Sequence, residues 1–206
     1  MSETIKKPMP AWVQRIDRVV QSQLFLGALV ALLTVANAFV TYRSAKASLD
    51  SSTLDFYAAR EMHRASIVHL SGNARYAIDM AAYNNYRLLR ERDPELAAES
   101  LSRGSEELMA GLERTGGPFD EQYIDARYGE GRTALQEAQV LYEEADRASM
   151  RSERFSLSST ILAIGLGATA WAGLLSEQHA LRFVFALTAI VSLVAGLLVG
   201  FTFVAR

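Results

Sequence analysis

The sequence predicts an all-α integral membrane protein with three transmembrane helices and an extramembrane helical bundle continuous with the first and second spans. Three apolar stretches predict the membrane part, because each is close to the roughly 20 helical residues that cross a hydrocarbon core. The segment between the first two stretches predicts the bundle, because it is rich in charged residues and its apolar residues recur at helical spacing. That segment shows no strand-like alternation of useful length.

Charge is unevenly distributed along the 206 residues, although the formal net charge is only -2. The segment 43–154 holds 15 of the 21 basic and 20 of the 23 acidic residues, a difference of -5. This balance does not favour a nucleic-acid partner. The chain has no cysteine, which excludes disulfides, thiolate metal ligands and cysteine nucleophiles.

At the N-terminus we predict a tail, 1–23, followed by the first transmembrane helix, 24–42. In the tail, apolar residues recur at helical spacing after Pro10, which indicates a short interfacial helix with Trp12 at headgroup depth. The span is uncharged and is followed by YRSAK rather than by a small-residue cleavage site. We therefore expect it to be kept as a signal anchor.

Glycine and proline divide the predicted bundle, 43–154, into helices. Asp93-Pro94 is a typical helix start and Gly116-Gly117-Pro118 a typical stop. We also expect breaks at Gly72-Asn73 and Gly129-Glu130-Gly131. The predicted helices are 43–71, 73–91, 94–115, 119–128 and 132 onward.

A seam of small residues crosses the predicted membrane boundary at the end of the bundle. Its members alternate in steps of four and three: Ala134, Ala138, Leu141, Ala145, Ala148, Ser152 and Phe155. Such a seam faces either the core of a monomeric bundle or a second chain in a coiled coil, and the first interpretation is favoured.

The second and third transmembrane helices, 155–176 and 183–205, each carry a ridge of small residues. The ridge of the third span is Thr188, Ser192, Gly196 and Gly200, and that of the second is Gly165, Thr169 and Gly173. Small residues let helix backbones approach closely in a membrane. The ridges either pack on each other within the hairpin, the favoured interpretation, or form an oligomer contact.

Polar residues inside the spans are few. Asn37 is the notable one, and we expect it to face another helix or a permeation path, because an amide in hydrocarbon needs a partner. None of the spans has an acid or base in its interior, which argues against a proton relay.

Flanking charges favour a cytoplasmic N-terminus and a helical domain on the opposite side of the membrane. Lys6, Lys7, Arg15 and Arg18 precede the first span, against Arg43 and Lys46 after it. The basic residues before the second span favour the opposite orientation, but the first helix usually dominates.

No constellation of residues predicts catalysis, a cofactor or a metal ion. His63 and His69 are six residues apart, which places them on opposite sides of a helix. A stripe of Tyr76, Met80, Tyr83 and Arg87 could line a ligand pocket, but it more often forms the edge of a core. We therefore expect a protein that is not an enzyme.

Two resemblances extend these expectations. The segment SAKASLDSSTLDFYAAREM after the first span, through Leu49, Asp55-Phe56-Tyr57 and Ala59, resembles an uncharacterised group of bacterial three-span membrane proteins with the same order of span, helical segment and terminal hairpin. That resemblance implies the architecture, a bacterial inner membrane with the helical domain in the periplasm, and no known activity. The segment RLLRERDPELAAESLSRGSEELMAGL resembles the middle hairpin of periplasmic four-helix-bundle sensors, although a further span here replaces their signalling output.

The expected function is therefore a membrane scaffold or accessory subunit that acts through self-assembly or through binding to a membrane partner. The alternatives are a sensory bundle that relays ligand binding across the membrane and an oligomeric pore. The expected partners are the lipid bilayer and either a second copy of the chain or another membrane protein.

Overall fold

The computed structural model describes residues 22–176 and 180–201. Within these ranges the chain forms five helices and no strand, which confirms the all-α prediction. The predicted interfacial helix around Trp12 lies outside the described residues, as do residues 177–179 and the end of the predicted third span.

Two of the helices are much longer than the others. The helices are α1 (Gln23–Leu89), α2 (Pro94–Ser102), α3 (Glu106–Leu112), α4 (Glu121–Leu174) and α5 (Ala180–Phe201). Among the described residues, α1, α4 and α5 are long and apolar enough to cross a membrane. Neither α1 nor α4 has a break where the predicted spans meet the predicted bundle.

The chain divides into two compact units. The apolar unit comprises the described parts of Met1–Ser51 and Arg147–Arg206, and the polar unit is Ser52–Asp146. Buried aliphatic and aromatic side chains from α1, α4 and α5 form the core of the apolar unit. They include Leu29, Leu33, Val40, Phe155 and Leu162.

The core of the polar unit is aromatic at the end that holds the short helices. Ala82, Leu101, Leu108 and Tyr123 are buried there. The Phe119 ring lies edge-on to Tyr123 at 5.1 Å between centroids, a geometry that favours aromatic pairs.

The predicted helix breaks at Gly72-Asn73 and Gly129-Glu130-Gly131 are wrong, because α1 and α4 run through them. Close packing explains two of these glycines. A Cβ built on Gly72 would lie 2.7 Å from Cε1 of Tyr128, and one on Gly131 would lie 3.2 Å from Val68. A glycine inside a helix costs only about 1 kcal/mol relative to alanine, so a packed helix tolerates it.

The predicted single helix 94–115 is also wrong, whereas its start is confirmed. Asp93 caps α2 by accepting the Leu96 N–H at 3.0 Å. The helix then stops at Ser102, and Ser105 caps a separate helix, α3, by accepting the Leu108 N–H at 3.2 Å. The predicted stop near Gly117 is confirmed, since α3 ends at Leu112 and Gly117 has a φ of 86°.

Candidate assembly surfaces

The ridge of the third predicted span packs mostly on the chain itself. A Cβ built on Gly196 would lie 2.7 Å from Cγ of Leu162, and one on Gly200 would lie 3.1 Å from Oγ of Ser158. Ser158 also donates a 2.6 Å hydrogen bond to the Gly196 carbonyl. Ser192 is buried, whereas Thr188 is exposed and bonds only within its own helix turn, to the Val184 carbonyl.

The ridge of the second predicted span is divided between buried and exposed positions. A Cβ on Gly165 would lie 2.9 Å from Cβ of Ser192 and 3.0 Å from Leu33, so α4 approaches its neighbours closely at this glycine. Thr169 is buried and donates back to the Gly165 carbonyl. Gly173 is exposed, and a Cβ there would meet nothing within 4 Å.

Short polar side chains join α1 to α4 in the apolar unit. Ser159 donates a 2.7 Å hydrogen bond to the Asn37 side-chain oxygen, and the Ser159 and Thr41 hydroxyls are 3.1 Å apart. Ser44 and Ser152 each donate to the other's carbonyl, at 3.0 and 3.1 Å. Asn37 therefore has a helix partner within its own chain.

The seam predicted on α4 is buried. In the polar unit Ala134, Ala138 and Ala145 are buried and Leu141 is half-buried, while Ala148 is buried in the apolar unit. The matching side of α1 in the polar unit has small residues every seven positions. This inner face of α1 consists of Ala58, Ala65, Gly72 and Asp79, all buried.

Asp79 is the centre of a buried polar network. Its carboxylate accepts hydrogen bonds from the backbone N–H of Ser105 at 2.7 Å, the Ser105 hydroxyl at 2.6 Å and the Tyr123 hydroxyl at 2.7 Å. Arg127 lies 3.4 Å away and pairs more closely with Glu107, at 2.6 Å. The network therefore fixes the start of α3 to both long helices of the polar unit.

The environment of Asp79 shifts two pKa values. Burial by itself would raise the pKa of Asp79, but the bonds from Ser105 and Tyr123 and the charge of Arg127 outweigh burial and lower it. Burial first, and then the bond to Asp79, raise the pKa of Tyr123. Asp79 is thus ionised and Tyr123 neutral near pH 7, as a charge-assisted hydrogen bond between them requires.

Sequence reasoning missed this network, although two signals point towards it. Asp79 continues the seven-residue series of Ala58, Ala65 and Gly72 and is therefore an acid on a core-facing position. Ser105 stands before two acids, Glu106 and Glu107, which is the composition of a helix start.

The opposite side of α1 in the polar unit is apolar and uncovered. This outer face consists of His63, Ile67, Leu70, Ala74, Ala77, Ala81, Asn84 and Leu88, which alternate in steps of four and three. All are exposed, with Ile67 at 53%, Leu70 at 69% and Leu88 at 73%. Within this stretch, Arg64 and Arg87 border the face, and Asp79 lies on the other side of the helix, so the face itself has no carboxylate, lysine or arginine.

A mainly apolar groove of about 440 Å³ lies between α1 and α4 in the polar unit. Its lining includes Met62, Ser66, Leu70 and Leu135, with the His69 ring 5.3 Å from that of Tyr128.

The residues that the sequence analysis considered for a ligand pocket or a metal site do not come together in one place. Tyr76 and Tyr83 pack against Phe119 in the aromatic core, and the Arg87 guanidinium lies 5.9 Å from the Tyr83 ring centroid. His63 is on the exposed outer face, whereas His69 lines the groove. In the described part of the chain, no group of three or more His, Asp or Glu side chains is arranged to hold a metal ion.

No family model, curated protein or solved structure matches this chain.

Proposed function

We propose that this protein is a non-enzymatic membrane scaffold or accessory subunit that acts through helix-mediated self-assembly or binding to a membrane partner. The observation that carries this proposal is the outer face of α1. Contiguous exposed apolar surface of this kind marks sites of protein association in soluble domains. The small-residue ridges are weaker candidates, because most of their members pack on the chain's own helices.

The proposal includes insertion of α1, α4 and α5 in a bacterial inner membrane, with a cytoplasmic N-terminus and a periplasmic polar unit. Three long apolar helices support insertion. The serine, threonine and asparagine contacts between α1 and α4 support it further, since such side chains commonly hold membrane helices together. The orientation follows the basic residues that precede the first span.

Native mass spectrometry of the full chain in a mild detergent tests the proposal. We expect either a defined oligomer or a fixed complex with a co-purifying membrane protein. Gly196→Ala serves as a control. It disturbs packing inside the chain and should lower thermal stability without changing the stoichiometry of the oligomer or complex. A monomer that retains no partner at any detergent concentration would contradict the proposed function.

The groove between α1 and α4 favours a second function, that of a sensory bundle which binds an apolar small molecule. Apolar clefts of about 300–1,000 Å³ are typical of ligand sites. A panel of apolar small molecules should then raise the unfolding temperature of the nanodisc-reconstituted protein. Ser66→Trp should abolish the shift, because Ser66 is exposed and lines the groove. The absence of any shift across the panel would remove this second candidate.

A further inference from the structure

We propose that the outer face of α1, from His63 to Leu88, pairs in parallel with the same face of a second copy of this chain. This inference rests on the proposed membrane function and names the occupant of the exposed face. The face spans 26 residues, about 39 Å at the rise of an α-helix. Its length approaches four heptads, enough for a sustained helix pair.

The distribution of side-chain size on α1 points to a second partner helix. Towards α4, the inner face has only small residues at its repeating positions, from Ala58 to Asp79. The large aliphatic residues Ile67, Leu70 and Leu88 lie on the outer face, each more than half exposed. Each such side chain gains about 1.5–3 kcal/mol when it is fully buried, and the monomer leaves most of that gain unused.

The residue types of the face fit a parallel coiled coil of two helices. When the positions of the face are written as a and d of a heptad, Ile67 occupies an a position and Leu70 a d position. A β-branched residue at a with leucine at d favours a parallel dimer. His63 and Asn84 occupy d positions, so in a parallel pair without a shift each of these polar residues faces its own copy. The alanines between them allow the two backbones to approach closely.

The bilayer gives the second copy an advantage over other occupants. Because α1 is one helix from Gln23 to Leu89 and begins with its apolar residues, two copies inserted alike run α1 in the same direction. Identical residues then face one another without a shift. Confinement in one membrane also raises the effective concentration of the two faces.

Charge favours α1 over α4 as the matching surface. The exposed side of α4 in the polar unit has Arg132, Glu137 and Glu144 among its residues. An uncharged face would desolvate these groups without pairing them, which is unfavourable. Among the described helices of the polar unit, the outer face of α1 is therefore the best match for itself.

The chain has no cysteine, so disulfide cross-linking in reconstituted bilayers tests the pairing directly. Ala74→Cys and Ala81→Cys, made separately, should each form covalent dimers under mild oxidation. An antiparallel pair brings at most one of the two positions against itself, so success at both requires the parallel arrangement. Ala126→Cys is the matched control, because Ala126 is exposed on α4, and it should remain monomeric.

A second variant tests whether the face drives association. Ile67→Glu with Leu70→Glu should lower the dimer fraction at least tenfold and leave the unfolding temperature of the monomer unchanged, since both side chains are exposed in the monomer. Val140→Glu places a charge at an exposed apolar position of α4 and should leave the dimer fraction as it is. A dimer that survives the double substitution, or cross-links at only one of the two alanines, overturns the inference but not the proposed function. A monomer without any partner overturns both.

Discussion

The inner and outer faces of α1 in the polar unit invert the usual distribution of side-chain size. The inner face, at positions seven residues apart, carries two alanines, a glycine and an aspartate, all buried, whereas the outer face carries Ile67, Leu70 and Leu88, all exposed. Small residues on the inner face let α1 and α4 approach closely. At Gly72 and Gly131 the helices are so close that an added Cβ would meet atoms of the other helix. The monomer buries every residue of the inner face, whereas it leaves Ile67, Leu70 and Leu88 of the outer face more than half exposed. The difference separates residues that serve the fold from those available for association.

Removing Asp79 should have the largest effect on the inner face. Asp79→Ala leaves the Tyr123 hydroxyl and the Ser105 N–H without their shared acceptor, while Arg127 keeps its pair with Glu107. Each buried polar group left unsatisfied costs about 1–3 kcal/mol. We expect the unfolding temperature to fall, and hydrogen exchange to accelerate first in α2 and α3. Ala77→Ser on the outer face is the control and should change stability by no more than about 0.5 kcal/mol. Equal effects at the two sites would mean that the faces do not differ as described.

Two glycine substitutions should have effects of opposite sign. Gly72→Ala on α1 gains about 1 kcal/mol of helix propensity, but its Cβ would lie 2.7 Å from the Tyr128 ring and 3.2 Å from the Arg127 carbonyl. Overpacking costs about 1–3 kcal/mol, so we expect a net loss of stability. Gly129→Ala on α4 meets nothing within 4 Å and should stabilise by about 0.5–1 kcal/mol. Thermal unfolding of both variants in the same detergent measures the difference, and stabilisation by both would contradict the close packing at Gly72.

The sequence was sufficient for the features that depend on local pattern. Apolar length predicts the three long helices, and Asp93-Pro94 predicts the start of α2 from its own capping chemistry. Local rules failed where a distant residue decides the outcome. Local pattern predicts a helix break at Gly72, because Tyr128, the residue that packs on this glycine, is 56 positions away in the sequence. The interruption before α3 depends on Asp79, which accepts hydrogen bonds from the Ser105 N–H and hydroxyl. The burial of the α4 seam also required the structure, because periodicity favoured a contact within the chain but also fits a contact between chains.

Acid should loosen the inner network and leave the outer face unaffected. The folded-state pKa of Asp79 lies below its ordinary value of 3.8, so the network contributes stability that is present above that value and is lost as the pH falls through the folded pKa. We expect hydrogen exchange in α2 and α3 to be independent of this group above about pH 5 and to accelerate below about pH 4, after correction for intrinsic rates. Asp79→Asn should remove this pH dependence. A wild-type profile that matches the Asn variant down to pH 2 would contradict the assignment.

The smallest effect is expected from the polar contacts between α1 and α4 in the apolar unit. Ser159→Ala removes the donor to Asn37, and hydrogen bonds between membrane helices average only about 0.6 kcal/mol. Asn37→Leu should cost no more, because it removes the amide together with its need for a partner. The double variant isolates the coupling, and a cycle of unfolding free energies in one detergent should give an interaction of about 0.6 kcal/mol. A coupling well above about 2 kcal/mol would mean that Asn37 has a further role in this unit, of the kind that a permeation path would require. A small coupling is consistent with helix contacts that rest on packing at Gly165, Gly196 and Gly200, where a Cβ would meet neighbouring atoms at 2.7–3.1 Å.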